Sequence, residues 1–163
     1  MSAGYNVSAV TGPDYTAYSC GYSSFDGAPG NGRYFTQNLV VNGMRPVSLA
    51  SGESHTLAAF ADGSVYGWGA NYNRVLTADY SGGNRDVPRP ITSLSGEHVV
   101  GVACGIFSSY AVTADGELYG WGLNRDYNLG LGYSGSAGRP TRSAYLSLAT
   151  EGWLTWAQAT LTR

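Results

Sequence analysis

The sequence predicts an all-β fold, an arc of about three four-stranded β-propeller blades. Two observations carry that expectation. Residues 48–69 recur as residues 101–122 at a constant offset of 53, with Ala-Asp-Gly and Tyr-Gly-Trp-Gly matching letter for letter. Self-similarity at a fixed period is the signature of a repeat architecture. Of 163 residues, 24 are Gly and 13 are Tyr, while only 12% are charged. That balance suits short strands joined by tight turns and argues against a disordered chain.

The elements follow in chain order. The first unit, residues 1–45, is the most diverged. Ala9-Val10-Thr11 aligns with Ala111-Val112-Thr113 as the end of a second strand, B. Tyr18-Ser19-Cys20-Gly21 aligns with Tyr119-Gly120-Trp121-Gly122 as the third strand, C, with one residue inserted between the two matches. Arg33 stands two repeat lengths before Arg139 and marks the fourth strand, D. No room is left for a first strand, A. The second unit, residues 46–98, reads in full. Strand A ends at Ala50 and strand B covers residues 55–60. Asp62-Gly63 then forms a hairpin turn, because both residues tolerate positive φ. Strand C covers residues 64–68, and strand D starts near Arg89-Pro90-Ile91. Proline at that point suits an outer edge, where a missing N–H interrupts no ladder. The third unit, residues 99–150, repeats this with strand A ending at Ala103, B at 108–113, C at 117–121 and D from Arg139-Pro140-Thr141. Residues 151–163, with Trp153, Leu154 and Trp156, read as a strand A with nothing after it.

The motifs resemble the repeats of the regulator of chromosome condensation family. Val99-Val100-Gly101-Val102-Ala103-Cys104-Gly105 fits the family's first strand, and His55-Thr56-Leu57-Ala58 fits its second. Asp115-Gly116-Glu117-Leu118-Tyr119-Gly120-Trp121-Gly122 fits its third. The run from Asn124 to Gly132 fits the following loop. The resemblance implies a β-propeller. The family's usual propeller has about seven blades, whereas this chain holds about three, below the ordinary range of roughly four to eight. Completion of the ring by oligomerisation or by a partner chain is therefore expected. The displaced strand A suggests a head-to-tail homo-oligomer, with a fragment or a subunit of a mixed assembly as the alternative.

Composition limits the function. The net charge is −2 and all nine basic residues are Arg. No basic stripe offers itself to phosphates, so nucleic acid is not expected as the main partner. No run of about 18 apolar residues exists, so no membrane span is expected. Residues 1–10 lack a basic region followed by an apolar one, so no signal peptide is read and synthesis in a reducing cytoplasm is expected. Cys20 and Cys104 read as buried thiols, and two Cys and two His far apart show no metal spacing. No cofactor is expected. Asp62 and Asp115 occupy the same turn in different units, which is turn chemistry rather than an acid–base pair. The chain is thus expected not to be an enzyme.

Three long loops remain, residues 22–33, 71–85 and 124–139. Tyr22, Phe25, Arg33, Tyr72, Arg74, Tyr80, Arg125, Tyr127 and Tyr133 are the candidate recognition residues, because aromatic, polar and Arg side chains together suit an adaptable binding surface. Trp68, Trp121 and His55 are expected to pack blade on blade, and Trp153, Leu154 and Trp156 to form an assembly strand. Cys20 fills the tryptophan's slot in the first unit with far less volume. These features favour a non-enzymatic structural or interaction protein that binds other subunits, a protein or a glycan. A phage virion or tail component is one concrete form. The family resemblance implies the alternative, a regulatory module such as a guanine-nucleotide exchange or chromatin-binding factor.

Overall fold

The computed structural model describes residues 1–21, 35–37, 41, 43–77 and 85–147, with the backbone alone at 36, 37, 85, 86 and 144–147. Among the described residues, twelve strands form three antiparallel four-stranded sheets, each built from strands consecutive in sequence. Blade 1 holds β1 (Ser2–Ala3), β2 (Val7–Thr11), β3 (Ala17–Gly21) and β4 (Thr36–Gln37). Blade 2 holds β5 (Pro46–Ser51), β6 (His55–Phe60), β7 (Val65–Gly69) and β8 (Arg85–Pro90). Blade 3 holds β9 (Val99–Cys104), β10 (Ser108–Thr113), β11 (Glu117–Asn124) and β12 (Gly135–Ser147). This is a propeller arc of three blades.

Blade 2 buries both of its faces, one against each neighbour, so the core lies between blades. Side chains alternate along each strand, sending neighbours to opposite faces. In blade 2, Leu57, Ala59 and Val65 join Ala111 and Trp121 of blade 3 in one apolar cluster. The alternate residues Ala58, Phe60 and Trp68 join Ala9, Ala17 and Val41 in a second cluster, against blade 1. The inner strands β5 and β9 lie side by side, where the Ser48 hydroxyl accepts from the Val102 N–H at 3.1 Å. The Cys104 thiol points at the Ala50 carbonyl at 3.5 Å.

Three expectations change at this point. Blade 1 does have a strand A. Residues 2 and 3 pair with Ala9 and Ser8, since two residues suffice to close an inner edge. The displaced-strand argument for strand exchange loses its premise, and residues 151–163 lie outside the described residues. Second, blade 1 carries no insertion. Thr11 pairs with Ala17 across five turn residues, as Ala59 pairs with Val65 and Val112 with Leu118. Val10, not Ala9, is therefore the counterpart of Ala58 and Ala111. A slip of one residue sends every side chain to the other face. The offset from blade 1 to blade 2 is 48 through these two strands, and Asp14 stands where Asp62 does. Both carboxylates accept from the backbone and hydroxyl two residues on, Thr16 in one and Ser64 in the other. Those bonds hold both carboxyls below the ordinary aspartate range. Third, strand D of blade 2 ends at Pro90 instead of starting there. β8 runs antiparallel to β7 and pairs Arg85 with Gly69 and Pro90 with Tyr66, so its far end lies beside the start of β7. Pro140 sits inside β12, which like β8 is an outer strand where no ladder bond is lost.

The end of strand C explains a glycine present in all three units. Gly21, Gly69 and Gly122 have φ of +117°, +100° and +101°. A Cβ on Gly69 would come within 2.5 Å of the Ser54 carbonyl oxygen, and one on Gly122 within 2.5 Å of that of Phe107. The backbone passes too close to the A–B turn for any side chain.

Candidate functional site

Antiparallel order puts every A–B turn and every C–D loop at one end of the arc, and every B–C turn and D–A connection at the other. The first end carries Tyr72, Arg74, Arg125, Tyr127 and Tyr133 of the candidate recognition residues. After β7 the chain makes a 3-10 turn at Tyr72–Arg74. Asn71 clamps the loop: its side-chain oxygen accepts from the Leu76 N–H at 2.8 Å and its amide donates to the Thr77 carbonyl at 3.2 Å. Leu76 is thereby fixed in the core, while Tyr72 stays 55% exposed. Blade 3 repeats the clamp 53 residues later. Asn124 accepts from the Leu129 N–H at 2.9 Å and donates to the Tyr133 carbonyl. Tyr127 and Tyr133 are left 61% and 46% exposed.

The clamps accompany an unusual backbone state. Asn73, Arg74 and Tyr127 all adopt positive φ, near +60°. Non-glycine residues in that region cost energy and persist where the surroundings over-determine them. Arg74 and Arg125 are exposed beside these tyrosines in sequence. The exposed Tyr5 and Ile106, on the A–B turns of blades 1 and 3, share this end. Asn71, Tyr5 and Ile106 were not expected from the sequence. The 53-residue spacing of Asn71 and Asn124 is the signal that extending the repeat past Gly122 exposes. Tyr22, Phe25, Arg33, Tyr80, Trp153, Leu154 and Trp156 lie outside the described residues.

His55, Trp68 and Trp121 are not on this surface; they lie between blades. His55 is buried in β6 and its Nε2 stands 3.0 Å from the Ser109 hydroxyl of blade 3. That hydroxyl donates to the Val75 carbonyl at 2.8 Å, which leaves it free to accept from the imidazole. Nε2 therefore carries the proton. The Trp121 indole donates to the same Val75 carbonyl at 2.7 Å, filling its second lone pair. One buried network thus ties the second blade's strand and loop to two strands of the third. Burial holds the His55 pKa down to about 4, and burial pushes the Cys104 thiol up to about 12. Neither group is poised for chemistry near neutral pH. Trp68 packs between blades 1 and 2, where its buried indole N–H has no acceptor among the described residues.

At the opposite end a cleft of about 220 Å³ opens between the 61–64 turn and the 91–98 connection. Asp62, Glu97 and His98 rim it over Val65, Ile91 and Leu94. Among the described residues no three His, Cys, Asp or Glu side chains come close enough to hold a metal ion. None of their helices is long and apolar enough to cross a membrane.

The profile of the regulator of chromosome condensation (RCC1) repeat matches residues 62–112 and 115–149. A second profile of the same repeat matches residues 47–74 and 99–128. The chain belongs to the RCC1 repeat family. It is 38% identical over 142 residues to the ultraviolet-B receptor UVR8 of Arabidopsis thaliana, covering 77% of this chain and 31% of the receptor. It is 33% identical over 130 residues to the mouse regulator of chromosome condensation, covering 76% of this chain and 30% of that protein. Among solved structures, that of yeast RCC1 (Prp20) bound to Kap60 superposes with a TM-score of 0.73 at 21% identity, over 86% of this chain and 36% of that one. The chain thus spans about a third of the length of these relatives. Such propellers are interaction and regulatory modules.

Proposed function

We propose that this chain is part of a regulatory propeller that recognises a protein partner through its C–D loop end. The observation that carries this is the pair of asparagine-clamped loops, which hold Tyr72, Arg74, Arg125, Tyr127 and Tyr133 at one end of the arc. Tyr and Arg dominate the energetics of protein interfaces, because each combines a large contact area with a directed polar group. A rigid scaffold lowers the entropy lost on binding. The relatives include a light receptor and a chromosome regulator. They favour a regulatory module over a phage virion or tail component, and a protein partner over a glycan.

The exchange-factor form of this reading draws on the match to the mouse regulator. One solved structure of yeast Prp20 was described with its binding to Gsp1p and histones, and another holds Kap60. The test uses those three proteins as probes. Gsp1p loaded with fluorescent GDP reports nucleotide release, and immobilised histones and Kap60 report binding. The expected result is binding to at least one probe, weakened tenfold or more by Tyr72→Ala with Tyr127→Ala and with Tm unchanged. Accelerated release of GDP selects the exchange-factor form. No binding to any probe, or binding that ignores both substitutions, overturns the proposal.

A further inference from the structure

The outward faces of blades 1 and 3 differ from the repeat in ways that match each other. The junction of blades 2 and 3 shows what the repeat ordinarily buries. On one side stand Leu57, Ala59 and Val65, and on the other Ala111 and Trp121, with the Trp121 indole donating to the Val75 carbonyl. One repeat later, the outward face of blade 3 carries Tyr110, Val112 and Leu118 in the same register. All three are only partly buried, whereas Leu57, Ala59 and Val65 are at most 3% exposed. The carbonyl equivalent to that of Val75 is Asn128, and here the Tyr110 hydroxyl of the same blade donates to it at 2.8 Å. A large side chain has replaced Leu57, and its hydroxyl takes one of the two lone pairs of that carbonyl.

The other outward face has the reciprocal change. Blade 1 presents Ser8, Val10, Tyr18 and Cys20 where blade 2 presents Thr56, Ala58, Tyr66 and Trp68. Those four residues of blade 1 are partly exposed. Cys20 replaces the tryptophan, so both its bulk and its N–H donor are gone. A blade bearing tryptophan at this position would drive the indole against the Tyr110 ring, on a carbonyl that already accepts one hydrogen bond. A blade bearing cysteine leaves room for the tyrosine ring and demands no acceptor. Close packing makes such volume exchanges decisive, since overfilling a well-packed site is itself destabilising.

We propose that the outward face of blade 3 docks against the outward face of blade 1 of a second copy of this chain, with Tyr110 seated over Cys20. The contact is head-to-tail. Two copies closing on each other make a ring of about six blades, inside the ordinary range, whereas a ring that fails to close extends as a chain of copies.

The test is the mass of this 163-residue chain at micromolar concentration by light scattering. The wild type is expected at twice the monomer mass or more. Cys20→Trp is expected to reduce it to the monomer, weakening association at least tenfold. Cys20→Trp combined with Tyr110→Leu rebuilds the ordinary junction, and assembly is expected to return. Circular dichroism of each variant shows whether the blades themselves are folded, and the rescue by the second substitution separates docking from misfolding. A monomeric wild type overturns the proposal. So does a mass that Cys20→Trp leaves unchanged, or one that the double variant fails to restore.

Discussion

The two junctions within the chain use the same repeat and close differently. Between blades 2 and 3, the His55 ring, the Ser109 hydroxyl, the Val75 carbonyl and the Trp121 indole satisfy one another inside an aliphatic cluster. Between blades 1 and 2, the tryptophan is equally buried, but its N–H has no partner among the described residues. Its neighbours Ala9 and Ala17 are small, and Phe60 and Tyr66 pack edge to face at 5.6 Å. Blade 1 also puts Val7 where blade 2 has His55, so the imidazole link is missing there. An unsatisfied buried donor costs about 1–3 kcal/mol, more than a typical hydrogen bond contributes net. The lesson is that tryptophan position alone does not make a junction; the carbonyl it reaches decides what the residue contributes.

The largest expected effect is that of acid. His55 titrates at about 4 in the folded chain and near 6.5 when unfolded. The unfolded state therefore binds the proton first. This contribution to stability is fully present above about pH 6.5 and is lost as pH falls toward 4. The difference amounts to about 3 kcal/mol. Chemical denaturation between pH 7.5 and 4.5 should show a loss of that order, and His55→Gln should flatten the slope. Hydrogen exchange should show the junction of blades 2 and 3 loosening before that of blades 1 and 2. If both loosen together, the difference between the junctions is not electrostatic.

Next come the tryptophans themselves. Trp121→Phe removes a donor from a satisfied network and is expected to cost about 1–3 kcal/mol. Trp68→Phe removes a donor without a described partner, so it should cost at least about 1 kcal/mol less. Denaturant midpoints at a constant m-value measure both. Equal costs would mean that the indole N–H groups are equivalent after all. The smallest effect belongs to a turn. Tyr15 has φ of +62° at the position that Gly63 and Gly116 fill with +86° and +82°. Tyr15→Gly should therefore raise stability by up to about 1 kcal/mol, seen as a rise in Tm. A fall would show that the exposed tyrosine ring makes a contact that outweighs the strain.

Much of this was legible in the sequence. The 53-residue period, the Asp-Gly turns and the alternation of strands B and C are local properties, set by turn chemistry and by side chains pointing alternately to two faces. Strand B appears in the structure at residues 55–60 and 108–113, as read. Local signals are weak at three places. A two-residue strand A has no periodicity to detect, so blade 1 looks incomplete in the sequence. Ala-Val-Thr recurs as a string, and that match outweighed the turn, although Asp14 and Thr16 mark the true register by the same hydrogen bonds as Asp62 and Ser64. The prolines of strand D do not mark which end they occupy, because an edge position allows them at either end.

The sequence by itself determined the kind of unit, the number of repeats and the loops that carry Tyr and Arg, because those depend on residues close together in the chain. Only the tertiary structure decided which residues meet across blades. The network joining His55, Ser109, Val75 and Trp121 spans up to 66 residues of sequence. A hydrogen bond of that reach depends on how one sheet stacks on the next, and no local pattern records it. The outward faces belong to the same class. Tyr110 and Cys20 look like unrelated departures from a repeat until the register places them on the two outward faces of the described arc.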